Sequence, residues 1–257
     1  LLVCLAIPRG FCAYVCPMGT LIDLQDRLVG RWFRRMHVKR RGWWAHLKYY
    51  VLAGVLVSSV AGVMIAPLVA AIPVLTRAMQ FIIAPVQLAA TRGDHLVEDL
   101  TTAQWVSILL FAAIFTLTVF GPRFWCRFLC PTGAMFSVAN IVRRTDRKVT
   151  AGCVECGACA TACDFDAVRD DYTTRGTDCT FCQSCGGACP VGAIQFTNRR
   201  AVVDAKAPAD PPPHEVSPSR RGFLAATAGG LGAALGLGPL APKLGIDAAW
   251  IDAHAGV

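Results

Sequence analysis

Charged side chains are scarce in this sequence. Asp, Glu, Lys and Arg make up 16% of its 257 residues, against about 25% in a soluble domain. With 54% hydrophobic residues and a mean hydropathy of +0.48, that shortage excludes an ordinary soluble enzyme and points to membrane-spanning segments. Acids are scarcer than bases, 17 against 25, leaving a formal charge of +8. In so apolar a chain the excess reads as cytoplasmic membrane loops, not as a nucleic-acid surface. Histidine is rare as well, and none of the five falls in the two complete apolar runs described below. That excludes a bis-histidine haem inside them. The sequence also has no Met at its front: it begins at Leu1 within an apolar run, as a piece cut inside a helix would.

Cysteine, by contrast, is abundant, with 13 residues in ordered spacings. Cys153, Cys156, Cys159 and Cys163 form C-x2-C-x2-C-x3-C, and Cys179, Cys182, Cys185 and Cys189 repeat it, with Pro190 following. Three thiols two residues apart wrap a loop around one small object, while the fourth lies too far round to serve it. In two-cluster ferredoxins each iron–sulfur cube takes three ligands from one run and its fourth from the other. On that rule Cys153, Cys156, Cys159 and Cys189 hold one [4Fe-4S] cluster. Cys179, Cys182, Cys185 and Cys163 hold the second. Structural zinc prefers two separated C-x2-C pairs, and a reducing compartment disfavours disulfides. Small residues between the ligands, among them Gly157, Ala158, Ser184, Gly186 and Gly187, admit close backbone approach to sulfide. Asp164 follows Cys163 where bacterial-type ferredoxins have Pro, which changes the turn beside that ligand.

Four more cysteines belong to a second internal repeat. Pro8-Arg9-Gly10-Phe11-Cys12 through Cys16-Pro17-Met18-Gly19 parallels Pro122-Arg123-Phe124-Trp125-Cys126 through Cys130-Pro131-Thr132-Gly133. Both copies read aromatic-C-x3-C-P-x-G after an apolar run. A spacing of four puts two thiols on one face of a helix, and the proline starts or ends that helix. Metal ligation, a redox-active dithiol and tight packing at a helix boundary all fit Cys12, Cys16, Cys126 and Cys130. Cys4, alone in an apolar run, reads as a small buried side chain.

Residues 49–66 and 103–120 are uncharged runs of bilayer length, and 1–7 reads as the tail of a third. Trp43, Trp44, Tyr49 and Tyr50 stand where an aromatic belt belongs. Bases crowd residues 8–48 and 122–148, whereas 67–101 has only Arg77 and Arg92 against three acids. This bias sets both cysteine repeats and the ferredoxin on the cytoplasmic side. Residues 67–101 read as a helix lying in or re-entering the interface, and Trp32-Phe33-Arg34-Arg35 as a lipid-headgroup anchor. The domain expectation is a membrane part at 1–145, a ferredoxin at 146–200, a proline-rich linker at 201–219 and a final apolar segment at 220–257. That segment opens with Ser219-Arg220-Arg221-Gly222-Phe223-Leu224, which looks like an internal twin-arginine export signal. A plain terminal membrane helix with basic flanks is the other reading.

Paired C-x3-C-P motifs at the ends of apolar helices, followed by a double-cluster ferredoxin, resemble the NapH/MauN/NosR/CcoG group of membrane polyferredoxins. The twin-arginine stretch is similar to the start of NapG/MauM ferredoxins, which implies a fusion of the two partner types. The fold so implied is an α-helical membrane protein with a small α+β bacterial-type 2[4Fe-4S] ferredoxin domain. The resemblance implies a multi-pass protein of the bacterial cytoplasmic membrane with its two [4Fe-4S] clusters facing the cytoplasm. Its partners would be the membrane and redox proteins: a quinol or cytochrome system, or an exported reductase, and no nucleic acid. The expected function is electron transfer in the manner of a quinol dehydrogenase subunit. The alternative is an assembly factor that reduces a metal ion or thiol for a respiratory oxidase.

Overall fold

The computed structural model describes residues 9–32, 42–92, 102–200 and 219–237, together with Pro239. Proline and glycine set most of the helix boundaries. A short helix α1 (Gly10–Tyr14) is followed at Pro17 by α2 (Pro17–Trp32). Further along, α3 is Leu47–Val60, α4 Ala66–Val69, α5 Ala71–Arg92 and α6 Thr102–Thr116. The first half closes with α7 (Phe124–Phe128) and α8 (Pro131–Ala139). In the second half, strands β1 (Thr145–Val149) and β2 (Ile194–Asn198) flank two single-turn helices, α9 (Ala158–Thr161) and α10 (Ser184–Gly187). The last element is α11 (Arg220–Leu237).

The apolar runs are shorter as α-helices than the sequence pattern suggests. The 49–66 run is helical only to Val60, because the chain turns at Gly62 (φ +84°) and Pro67 sits in the separate turn α4. The 103–120 run leaves the α form after Thr116 and finishes as a tighter 3-10 turn, Leu117–Phe120. Among the described residues, no helix is long and apolar enough to cross a membrane. The segment read as interfacial is mostly α5, which continues through Pro85. Residues 1–7, Cys4, the Phe33–Arg35 part of the basic anchor and most of the linker lie outside the described residues.

The helical core draws on both halves of the C-x3-C-P repeat. Met18 and Ile22 of α2 meet Val74 and Leu75 of α5, Ile114 of α6, and Trp125 and Cys130. The ferredoxin part is smaller. Its β1 and β2 pair antiparallel from Thr145 with Asn198 to Val149 with Ile194, and both cysteine runs lie between the two strands in sequence.

Helix α11 docks on α3 through glycine. A Cβ placed on Gly230 would stand 2.5 Å from the Gly54 carbonyl oxygen, so the backbones touch and no larger residue fits. The Ser219 amide donates to Tyr50 Oη (3.3 Å) at the same seam. Arg220 and Arg221 are both exposed at its start. Gly230→Ala should therefore release α11, seen as lost amide hydrogen-exchange protection over 220–237. Gly229→Ala, where the added carbon meets nothing within 4 Å, should leave that protection intact or raise it. Equal behaviour of the two variants would show that the glycine seam does not hold the helix.

Candidate metal centre

The two C-x2-C-x2-C loops take the same backbone course. Glu155 and Phe181, each one residue before the second cysteine, have φ of 57°; Gly157 and Gln183, each one residue after it, have φ of 75° and 63°. These left-handed residues on either side of a cysteine curl each loop back on itself, so its thiols face one concavity. The helical turns α9 and α10 then carry Cys159 and Cys185 into the interior.

Each concavity is completed by the other run. One cavity is lined by Cys153, Cys156, Cys159 and Cys189, beneath Val149, Val154 and Ile194. The second is lined by Cys163, Cys179, Cys182 and Cys185, beneath Phe165, Phe181 and Phe196. These are the two crossed sets read from the spacing. Among the described residues, no three His, Cys, Asp or Glu side chains converge closely enough to hold one metal ion. The thiols surround space instead of meeting at a point, where zinc would need sulfurs about 2.3 Å from a common centre.

The surroundings suit an anionic, polynuclear group. Arg147 of β1 is 5% exposed and lines the second cavity, and its charge also reaches Cys159 of the first. Its Nη1 donates to Tyr172 O (3.1 Å) and Thr174 Oγ1 (2.8 Å), while Nε and Nη2 are buried without a partner. Buried donors left over beside four thiols fit sulfide or thiolate acceptors. The Ala167 amide donates to Cys163 Sγ (3.3 Å), the cysteine followed by Asp164 in place of the usual proline. Burial pushes the Cys179 thiol up to about 11, with Arg143 pulling it back down. Without a metal it is a neutral thiol, and ligation releases its proton.

The C-x3-C-P thiols form a separate group. Cys12 lies in α1, but Cys16 falls after it, just before α2 begins at Pro17; Cys126 and Cys130 stand in the same relation to α7 and α8. The condition for two thiols on one helix face, a continuous helix, is not met, while each proline does start a helix. The amides of Cys16 and Cys130 instead reach back to Phe11 O (2.9 Å) and Trp125 O (3.0 Å), so each motif is a tight reversal between helices. Cys16 and Cys126 pack against the core that contains Cys130.

A buried ion cluster joins the thiol groups, and the sequence reading missed it. Asp178, next to Cys179, accepts from Arg9 Nη1 and from Lys48 Nζ (2.6 Å). Arg9 also donates to Thr177 O (2.7 Å), and Lys48 to Ser137 Oγ (2.9 Å). Tyr14, between Cys12 and Cys16, donates to Phe181 O (2.7 Å), inside the second ferredoxin loop. Arg9 entered the sequence pattern as part of the repeat and, with Lys48, as a loop charge. An acid directly before a ligand cysteine was the available signal.

A family model described as a 4Fe-4S binding domain matches residues 1–36 and 103–149, the two segments that carry the C-x3-C-P motifs. YccM of Escherichia coli is 26% identical over 80% of this chain and 56% of its own. The regulatory protein NosR of Pseudomonas aeruginosa is 26% identical over 79% of this chain and 27% of its own. The methylamine utilization ferredoxin-type protein MauN of Methylorubrum extorquens is 27% identical over 74% and 62%. The chain thus spans about half of YccM and about a quarter of NosR. No solved structure matches. The ferredoxin-type cysteine runs, the matched 4Fe-4S binding model and these relatives together make the chain similar to 4Fe-4S ferredoxin-type proteins of the NapH/MauN/NosR kind.

Proposed function

We propose that the protein is a membrane-bound electron relay whose two crossed cysteine sets each bind a [4Fe-4S] cluster. A bound cluster supplies one-electron redox chemistry at a low reorganisation cost, and the protein sets its position and potential. The observation that carries this reading is the pair of cavities, each lined by three cysteines of one run and the last of the other.

The chain's own residues do the rest. Phe165, Phe181 and Phe196 keep water from one cavity, and Val149, Val154 and Ile194 from the other. Arg147 stands beside both thiol sets and favours the more negative, reduced state of either. Exposed Cys156 marks the side from which an electron enters or leaves the first set. A quinol donor would deliver its two electrons one at a time, and its two protons would go to solvent.

Attachment to the bacterial cytoplasmic membrane is supported by apolar side chains left bare on the helices, and a ferredoxin part inside the cell by the excess of basic residues in 8–48 and 122–148. Leu56 and Val60 of α3, Val86 of α5, Leu109 of α6 and Leu235 of α11 are 58–91% exposed. Large bare apolar surface on several helices needs lipid or protein cover.

Anaerobically purified protein should show the EPR of reduced [4Fe-4S] centres with dithionite, and a quinol should produce part of that signal. Iron-free, sulfide-free protein would falsify the reading. Clusters that dithionite reduces but neither quinol nor a cytoplasmic donor does would leave a structural anchor in its place.

A further inference from the structure

The thiols of the C-x3-C-P repeat are absorbed by neither ferredoxin cavity, yet the fold gathers them. We infer that Cys12, Cys16, Cys126 and Cys130 hold a third iron–sulfur cluster, one group shared by the two repeats with two ligands from each.

The repeats are built alike down to single atoms. Each first cysteine sits in a one-turn helix, and each second cysteine closes a reversal before a proline-led helix. The glycine two residues after that proline presses on the carbonyl of the first cysteine. A Cβ on Gly19 would lie 3.1 Å from Cys12 O, and one on Gly133 3.2 Å from Cys126 O. This explains the full C-x3-C-P-x-G pattern, since only a glycine there lets the reversal close against the first cysteine's carbonyl.

The two reversals meet in one core. Trp125, Cys130, Met18 and Ile22 are buried together, with Cys16 and Cys126 packed on them. Among ionisable neighbours, Cys126 has the other three thiols of the set beside it, and Cys12 has Cys130 and Cys16. Four thiols from two related segments in an apolar interior are the donor set of an iron–sulfur cluster. Both chemistries left open by the sequence are less well served. A dithiol needs two cysteines and not four, and a single ion needs a convergence absent among the described residues.

Counter-charge and donors are in place. Arg9 and Arg123 both act on Cys12, and Arg123 Nη1 anchors the Cys12 carbonyl (2.8 Å). The Gly133 amide donates to Cys130 Sγ (3.4 Å). Trp125 Nε1 and Arg9 Nε are buried in residues 7% and 1% exposed, and neither has an acceptor. A cluster would offer sulfur to such donors and carry the negative charge that the two guanidiniums balance. On assembly four iron–thiolate bonds form and four thiol protons leave. The Tyr14 bond to Phe181 O sets this group next to the ferredoxin loop of Cys179 and Cys182.

Iron and acid-labile sulfide per chain test the inference on the anaerobically purified full chain. Wild type should carry about twelve irons, against about eight for two cubes alone. Cys12→Ser with Cys126→Ser should lower the count by about a third, with the reduced EPR of the remaining clusters unchanged. Should that variant not fold, the wild-type count decides alone. A wild-type count of about eight overturns the inference, as does a higher count that ignores Cys12 and Cys126. Stoichiometric zinc or copper that follows those cysteines also overturns it. The ferredoxin reading fails separately: Cys156→Ser with Cys182→Ser would then leave the iron count unchanged.

Discussion

Asp178→Asn should destabilise the protein by about 3–5 kcal/mol. Its carboxylate is 3% exposed and faces Arg9 at 1% and Lys48 at 0%. An amide keeps the shape and deletes the charge, so two buried cations lose the carboxylate they share. Arg9 retains Thr177 O and its place over the Phe165 ring, and Lys48 retains Ser137. These neutral contacts do not replace an anion in an apolar interior. The carboxylate ties the start of α1, the start of α3 and the approach to Cys179, and α8 joins through Ser137. The loss should therefore reach the cluster set that contains Cys179. The thermal midpoint should fall by roughly 10 °C, and the iron count should fall with it. Asp170→Asn removes an exposed carboxylate and should change stability by no more than about 0.5 kcal/mol. If the two variants matched, the buried cluster would have no structural role.

That cluster also shows which features a sequence can express. The crossed cysteine sets were legible because ligand spacing is local: two residues between thiols wrap a loop, and the fourth cysteine overshoots it. Asp178, Arg9 and Lys48 were not, since their partnerships span 130 to 169 residues and no pattern near any of them announces the others. Basic residues counted towards loop charge proved partly internal. Arg9, Lys48, Arg123, Arg127, Arg143 and Arg147 are all at most 5% exposed. Helix ends followed the same logic. Hydropathy marks where apolar residues run, but Gly62, at φ +84°, decides where the α-helix stops. The C-x3-C geometry was open in the sequence for a related reason: the spacing puts both thiols on one face only in a continuous helix, and the reversal bonds to Phe11 O and Trp125 O put a boundary inside the motif.

The crossing of ligands gives the most discriminating result at the ferredoxin itself. Cys189 belongs in sequence to the second run, yet it lines the cavity of Cys153, Cys156 and Cys159. Cys163 belongs to the first run and lines the cavity of Cys179, Cys182 and Cys185. Cys189→Ser should therefore disturb the cluster held by the first run and spare that of the second. Cys163→Ser should do the opposite. In either case about four irons become labile, or their centre shifts in potential and EPR because serine oxygen is a harder donor than sulfur. The assignment comes from pairing each change with a second one in a three-cysteine loop. If ligands cross, Cys189→Ser with Cys156→Ser should cost one cluster, and Cys189→Ser with Cys182→Ser should cost two. If each run served its own cube, these two doubles would exchange outcomes. Counts of iron and spin on the same four samples separate the cases without any redox partner.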